Sequence, residues 1–341
     1  MGLRKLFVLN VFVVLIAHFG CSGPDTPASG VDAGGFPSLT GPYLGQEPPG
    51  QEPELFAPGV VSTGGQELSI CFSPAGDDVY FFVCGPTYNP RIILHSRREG
   101  PTWTTPRETG FFDAERTDSY PFVAPDGERI FFCSSRAAGG SPGTGGHHEI
   151  WFADRVGNGW GQPRKVDFGG GLGGSGTFPS VAANGNLYFN GGHGSGGSDI
   201  YFSRYDGESY TTPERLSDAV NSAGGDFHPF IAPDESFLLF DSVRDDDAFG
   251  GNDLYISIRA EDGRWGQARN LGERLNTEHG EMRPFLTADG EYLFFASSRP
   301  VPRPLPEHPM ALGEVARIFG GPGNGLQDIY WVSAEAIAEF L

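Results

Sequence analysis

Residues 226–276 read DFHPFIAPDESFLLFDSVRDDDAFGGNDLYISIRAEDGRWGQARNLGERLN. The stretch predicts four short strands, and the first of them ends at a Pro-Asp-Glu turn that begins at Pro233. The second strand begins at Phe237, the third at Asp253 and the fourth at Trp265. Short apolar runs separated by turn residues indicate an antiparallel sheet.

The same unit recurs along the chain, and its turn is the easiest part to align. The turns lie 50 to 58 residues apart, and an aromatic strand follows each of them. A fixed period of this size predicts a repeat architecture. The turns are Pro74-Ala75-Gly76, Pro125-Asp126-Gly127, Ala183-Asn184-Gly185, Pro233-Asp234-Glu235 and Ala288-Asp289-Gly290.

The two ends of the repeat array complement each other. The last repeat stops at Leu341 without a fourth strand, whereas residues 55–58 (Leu-Phe-Ala-Pro) precede the first complete repeat. An N-terminal strand that joins the last sheet explains both facts, and it leaves no long sheet edge exposed. The sequence therefore predicts an all-β fold over residues 54–341, a five-bladed β-propeller closed by an N-terminal strand. A six-bladed ring is the alternative.

Several short motifs recur at equivalent places in the repeats. They are the Pro-Asp-Gly turn, a second strand that ends in Ser-x-Arg, as at residues 134–136, 242–244 and 297–299, and the aromatic-x-x-Pro of Trp103 and Trp160. Together these motifs resemble the WD-like β-propeller repeat of the TolB type, over about residues 54–341. The resemblance implies the fold and, because TolB-type propellers serve envelope protein contacts, a protein partner. Fold alone does not fix a function.

Residues 1–20 have the pattern of a secretory leader. Arg4 and Lys5 precede an apolar run over residues 6–17, which is too short for a membrane span. Gly20 followed by Cys21 resembles a bacterial lipoprotein processing site, which implies lipidation of Cys21. Residues 21–53 lack an apolar period and predict a flexible tether. We therefore expect a lipid-anchored protein of the bacterial cell envelope, facing the periplasm or the outer surface.

The charge balance narrows the classes of partner. The chain has 23 basic and 43 acidic side chains and a net charge of −20. Such acidity opposes binding to nucleic acid and to anionic lipid surfaces. No nucleic-acid partner is expected, and the membrane would be reached through the N-terminal lipid alone.

One acidic residue recurs at the start of the first strand of a repeat. Because these strands line the channel of a propeller, four carboxylates could surround one mouth. Three interpretations remain: hydrogen bonds that fix the spacing of the blades, a cation site such as Ca²⁺, or a carboxylate pair for glycoside cleavage. The third repeat has Gly176 at this position. The four acids are Glu67, Asp118, Asp226 and Glu281.

A second set of charges lies where the second strand ends and the third begins. Adjacent ends approach in a hairpin, so the sequence predicts cross-strand ion pairs between them. The predicted pairs are Arg136 with Glu149, Arg244 with Asp253, and Arg299 with Asp328.

Two alternatives remain for the cysteines of the first repeat. Cys71 and Cys84 form either a disulfide or two buried thiols.

Residues 137–147, 245–251 and 300–325 are loops between second and third strands, so they share one face, and binding usually resides in such loops. We expect a binding or scaffold propeller for an envelope protein or glycan. The alternative is a carbohydrate-active hydrolase or lyase that uses the channel carboxylates.

Overall fold

The strands form five antiparallel sheets arranged as the blades of a β-propeller, so the predicted five-bladed fold is confirmed. The computed structural model describes residues 36–85, 87–136, 148–169, 176–194, 197–245, 247–303 and 306–341. Within it, Leu39–Leu341 forms one compact unit.

Each blade has three long strands, numbered here in chain order, and one or two short outer strands. Blade one has β2 Gln66–Phe72, β3 Asp78–Cys84, β4 Arg91–Glu99, β5 Thr102–Trp103 and β6 Arg107–Glu108. Blade two has β7 Asp118–Val123, β8 Arg129–Ser134, β9 Glu149–Val156, β10 Gly159–Trp160 and β11 Arg164–Lys165. Blade three has β12 Thr177–Val181, β13 Leu187–Gly194, β14 Gly197–Ser203 and β15 Glu214–Arg215. Blade four has β16 Asp226–Ile231, β17 Phe237–Ser242, β18 Asp253–Ile258 and β19 Arg269–Asn270. Blade five has β20 Glu281–Leu286, β21 Tyr292–Ser297, β22 Asp328–Ser333 and β1 Glu54–Leu55.

The turns between first and second strands form because their residues satisfy the backbone locally. In blade two, the Asp126 side chain accepts a hydrogen bond from the Glu128 N–H at 2.9 Å, and Gly127 has φ of 74°. Asp bonds its own backbone two residues on, and glycine adopts a positive φ without a steric penalty. We call the side of the propeller with these turns the turn face, and the opposite side, with the loops between second and third strands, the loop face.

The N-terminal strand closes the ring. Glu54 pairs with Trp331 and Leu55 with Tyr330, and the Phe56 N–H donates to the Ile329 carbonyl at 2.8 Å. The last blade therefore contains strands from both ends of the unit. The predicted closure is confirmed, and it removes the free edge that β22 would otherwise present.

The segment before β1 is not a tether throughout its length. Tyr43 lies against the rings of Phe72 and Tyr292, with centroids 5.3 and 4.9 Å away, and Leu44 is buried. The Trp103 indole donates to the Gly41 carbonyl at 2.8 Å. From residue 39 onward, the predicted flexible tether is wrong, because aromatic packing against the first and last blades fixes the chain. The leader, Cys21 and the loop at 137–147 lie outside the described residues.

The middle of the channel is filled by aromatic side chains. Phe122, Phe230 and Phe285 come from the first strands of three blades, and their ring centroids lie 5.7 to 6.4 Å apart. These rings separate a mouth on the loop face from a mouth on the turn face. Of the described residues, no helix is sufficiently long and apolar to cross a membrane.

Candidate functional site

The four acids predicted from the repeats are buried at the starts of the first strands. Glu67, Asp118, Asp226 and Glu281 have relative exposures of 1, 3, 0 and 0%. At the equivalent position of blade three, a Cβ on Gly176 would lie 3.1 Å from the Phe189 ring. A side chain at this position would therefore crowd the Phe189 ring.

In blades two, four and five, an arginine neutralises the acid. Arg136 Nη1 lies 2.6 Å from Asp118, Arg244 Nη2 lies 2.6 Å from Asp226, and Arg299 Nη2 lies 3.2 Å from Glu281. The same guanidinium groups donate to carbonyl groups of the segment that arrives from the preceding blade, at Phe111, Val220 and Leu275. The pairs thus join each blade to the segment before it.

In blades four and five, the segment before the first strand also donates hydrogen bonds to the carboxylate. In blade four, the N–H and hydroxyl of Ser222 donate to Asp226 at 2.5 and 2.9 Å. In blade five, the N–H and hydroxyl of Thr277 donate to Glu281 at 2.7 and 2.9 Å. Both carboxylates are also fully buried, so they are not presented to a glycosidic oxygen. The geometry favours the blade-spacing interpretation over glycoside cleavage.

The predicted ion pairs have the wrong acids as partners. Lys165 binds Glu149 at 2.5 Å, Asp253 accepts from the Phe249 N–H at 2.6 Å, and Asp328 accepts from the Gly323 N–H at 2.7 Å. The second strand has two neighbours, and each arginine turns towards the first strand, where a buried carboxylate needs a counter-charge. The predicted pairing is therefore wrong for Arg136, Arg244 and Arg299, which bind Asp118, Asp226 and Glu281.

Blade one differs because no arginine follows its second strand. The Thr63 hydroxyl and N–H bind Glu67 at 2.6 and 3.1 Å. Burial raises the pKa of Glu67 to about 7, and the nearby Asp328 charge adds to the rise. Burial also raises the pKa of Asp328 to about 6. Without an arginine partner for Glu67, the closure seam contains two carboxyl groups whose pKa values are both raised.

The loop-face mouth is surrounded by residues that we did not single out from the sequence. They come two positions after the acid or its equivalent, and four of them precede a proline with φ between 50° and 59°. Each of these first strands contains a β-bulge, which re-aims a side chain. The recurrent X-Pro step is the sequence feature from which these residues could have been identified. This mouth ring consists of Ser69, Tyr120, Phe178, His228 and Arg283.

His228 is the most constrained member of the mouth ring. Its Nδ1 lies 2.7 Å from Oδ1 of Asp241, a side chain with 0% exposure. Asp241 also accepts hydrogen bonds from the Asn252 amide at 2.7 Å and the Arg283 backbone N–H at 2.9 Å. Because a carboxylate only accepts, the His228 proton lies on Nδ1 and a lone pair remains on Nε2.

The protonation of His228 follows from its burial. Burial lowers the pKa of this imidazole below its ordinary value; Asp241 opposes the shift and Arg283 adds to it. The side chain is 9% exposed, and its Nε2 is buried without a hydrogen-bond partner. At neutral pH, the ring is therefore uncharged and offers an unused acceptor.

Aromatic rings and a cation enclose this acceptor. The Phe178 ring centroid lies 4.0 Å from that of His228 and 4.2 Å from that of Tyr120. Arg283 Cζ lies 5.3 Å from the Tyr120 centroid. The Arg283 Nη1 contacts the Met282 sulfur at 2.8 Å, and its Nε is buried without a partner.

A second cation lies near the mouth ring. Arg91 Nη1 is 3.2 Å from Nε2 of His148, and burial, aided by Arg91, lowers the pKa of His148 to about 4. Burial raises the pKa of Tyr120, whereas Arg283 and Arg91 both lower it, as nearby cations do. Two arginines, Arg283 and Arg91, therefore lie near the mouth, together with the buried carboxylate of Asp241.

The hollow enclosed by the mouth ring is small. Its volume is about 50 Å³. A cavity of roughly 10–15 Å³ on this measure accommodates one water, so the hollow suits a few waters or one small polar group. Among the described residues, no cluster of three His, Cys, Asp or Glu side chains is placed to hold a metal ion. The Ca²⁺ alternative stays a prediction.

No family model matches the chain, and no curated protein matches it. Among solved structures, a putative TolB from Agrobacterium tumefaciens shares 16% identity with a TM-score of 0.47, over 79% of this chain and 90% of that one. TolB from Acinetobacter baumannii shares 13% with a TM-score of 0.45, over 79% of this chain and 57% of that one. A thermostable family-43 glycoside hydrolase shares 14% with a TM-score of 0.45, over 70% of this chain and 84% of that one. The chain is thus similar to TolB structures, as its repeats indicate, and this likeness assigns no ligand.

Proposed function

We propose that the protein is a binding or scaffold propeller of the bacterial cell envelope, held there by lipidated Cys21, and that its loop face contacts an envelope protein. The composition of the loop face is the observation that carries the proposal. It combines the polar and aromatic mouth ring with an exposed apolar helix in the longest loop.

That helix, α1, spans Leu312–Phe319 between β21 and β22 and contains no buried residue. Leu312 and Phe319 are 84 and 67% exposed, and Val315 lies between them. The three residues have i, i+3 and i+7 spacing, so they form one apolar stripe. Exposed apolar surface of this kind marks interaction sites.

The alternative of a carbohydrate-active enzyme that uses the four acids has less support. Glu67, Asp118, Asp226 and Glu281 are buried and hydrogen-bonded within the blades. A glycan partner for the mouth is the second candidate, because aromatic rings beside polar groups also suit a sugar.

A photo-crosslinking experiment tests the protein partner. A photoreactive amino acid replaces Phe319 in the full-length chain, expressed in the native envelope. The matched control replaces Val156, which is 65% exposed at the end of β9 on the turn face. We expect a discrete protein adduct from position 319 and none from position 156. Equal adducts at both positions, or none at position 319, would refute the proposal.

The envelope anchor has its own test. A Cys21→Ser variant should leave the membrane fraction and be recovered in the soluble extracytoplasmic fraction. A variant that stays with the membrane would show that lipid on Cys21 is not the anchor.

A further inference from the structure

We propose that the loop-face mouth binds a carboxylate group between Arg283 and His228, and that His228 takes up a proton as the carboxylate binds. The inference deepens the proposed function, since an acidic side chain or chain terminus of the partner would supply this group.

Arg283 is the first reason to expect an anion. Among the described residues, it forms no ion pair with a carboxylate, and its Nη1 contact is the Met282 thioether. A thioether is a weak acceptor, whereas a guanidinium favours ionised oxygen atoms in a planar arrangement. By contrast, Arg136, Arg244 and Arg299 each have a carboxylate partner. Arg283 is thus a partly buried cation with an unfilled donor at Nε.

His228 supplies the second donor once it is protonated. Its Nδ1–H donates to Asp241 of β17, while Nε2 is buried without a hydrogen-bond partner in a side chain that lines the mouth. A proton on Nε2 creates an imidazolium between Asp241 on one side and the incoming carboxylate on the other. The charged groups that face it are Asp241 and Arg283, with the Tyr120 ring beside them. A carboxylate that offsets the Arg283 charge favours this protonation.

The size and walls of the hollow select a carboxylate over phosphate. The space of about 50 Å³ fits a planar group better than a tetrahedral one with its hydration. The walls are the Tyr120 and Phe178 rings, which can contact the carbon stem of a carboxylic acid. Inorganic phosphate has no such stem and would leave these apolar walls facing charge.

The proton uptake gives the proposal a measurable signature. Binding that takes up a proton tightens as the pH falls, by up to about tenfold per pH unit. The full-length protein is titrated with acetate at about pH 6 and about pH 8, and the His228 ring is followed by NMR. We expect tighter binding at the lower pH, together with a shift of the His228 signals towards the imidazolium form. Inorganic phosphate should bind at least about tenfold more weakly, since it lacks the stem.

Variants separate this site from non-specific binding. Arg283→Gln should weaken acetate binding about tenfold or more, as expected for a lost charge-assisted hydrogen bond. His228→Gln should remove the pH dependence. Arg264→Gln, at a side chain that is 88% exposed, is the matched control and should change neither. Circular dichroism checks that each variant is folded.

Two sources of the carboxylate are distinguished by adding a short peptide that ends in Asp. If the peptide binds more tightly than acetate and Arg283→Gln weakens it, the carboxylate belongs to a protein partner. If acetate binds and the peptide does not, a small carboxylate is the ligand. Acetate binding that is unchanged by Arg283→Gln, or that does not depend on pH, would overturn the proposal. A position-319 adduct obtained in that case would leave the protein-binding function intact.

Discussion

Nη2 of Arg244 donates a 2.6 Å hydrogen bond to Oδ1 of Asp226, and the two side chains are 10 and 0% exposed. The same Nη2 donates to the Val220 carbonyl at 2.8 Å. The pair therefore joins the start of β16, the end of β17 and the segment that arrives from blade three. A charge pair in this position specifies how consecutive blades meet.

Removing one member of this pair should destabilise the fold. Arg244→Met leaves the Asp226 carboxylate buried without its counter-charge, and we expect the free energy of unfolding to fall by roughly 3–5 kcal/mol. Urea unfolding measures the change. The double variant Asp226→Leu with Arg244→Met should lose less than the sum of the two single variants. Additive losses would contradict the interpretation of a coupled buried pair.

The closure seam should make stability depend on pH. Burial raises the pKa of Glu67 to about 7, above its value in the unfolded chain, so the folded state binds the proton more tightly. The stability that the folded state gains from this proton is fully present below the pKa of Glu67 in the unfolded chain. It is lost as the pH rises towards about 7. The free energy of unfolding should therefore decline by roughly 1–3 kcal/mol over this range. The comparison is with Glu67→Gln, in which the decline should be smaller; identical pH profiles would contradict the prediction.

The closing strand should contribute stability through Phe56. This ring has 0% exposure, and its centroid lies 5.1 Å from that of Trp331. Phe56→Ala should cost roughly 3–5 kcal/mol, because it removes buried apolar area and leaves a cavity in the seam. Phe249, which is 45% exposed, provides the control, and Phe249→Ala should change stability little. Thermal and urea unfolding measure both variants, and equal losses would argue against a closing role for Phe56.

The interior thiols should be unreactive in the folded protein. Cys71, Cys84 and Cys133 are free and buried, so the disulfide alternative for Cys71 and Cys84 is wrong. Burial raises the pKa of Cys71 and of Cys133 to about 12, which leaves almost no thiolate at neutral pH. In a Cys21→Ser background, both should react with a thiol reagent only after unfolding. Rapid labelling of the native protein at either position would show that these blades open.

The sequence shows where the mouth-ring residues lie on the first strands, but it does not show that their side chains meet at the mouth. The X-Pro steps at Tyr120, Phe178, His228 and Arg283 align in the repeats, so their common place on the first strand was accessible. Their left-handed backbone, which turns these side chains into the mouth, was not. The arginine partners were misassigned for a similar reason. Strand pairing alone does not tell whether Arg244 turns towards Asp226 or Asp253.

The sequence by itself determined the blades, their turns and the closure by an N-terminal strand, which it placed at residues 55–58. These features depend on short-range patterns of apolar, aromatic and turn residues, which repeat along the chain. Only the tertiary structure decided that the acidic residues are buried and take part in hydrogen bonds that join adjacent blades. It also decided that His228, Asp241 and Arg283 meet at the mouth. The physical reason is that the channel brings together residues more than 40 positions apart in the sequence, and burial then sets their charges and partners.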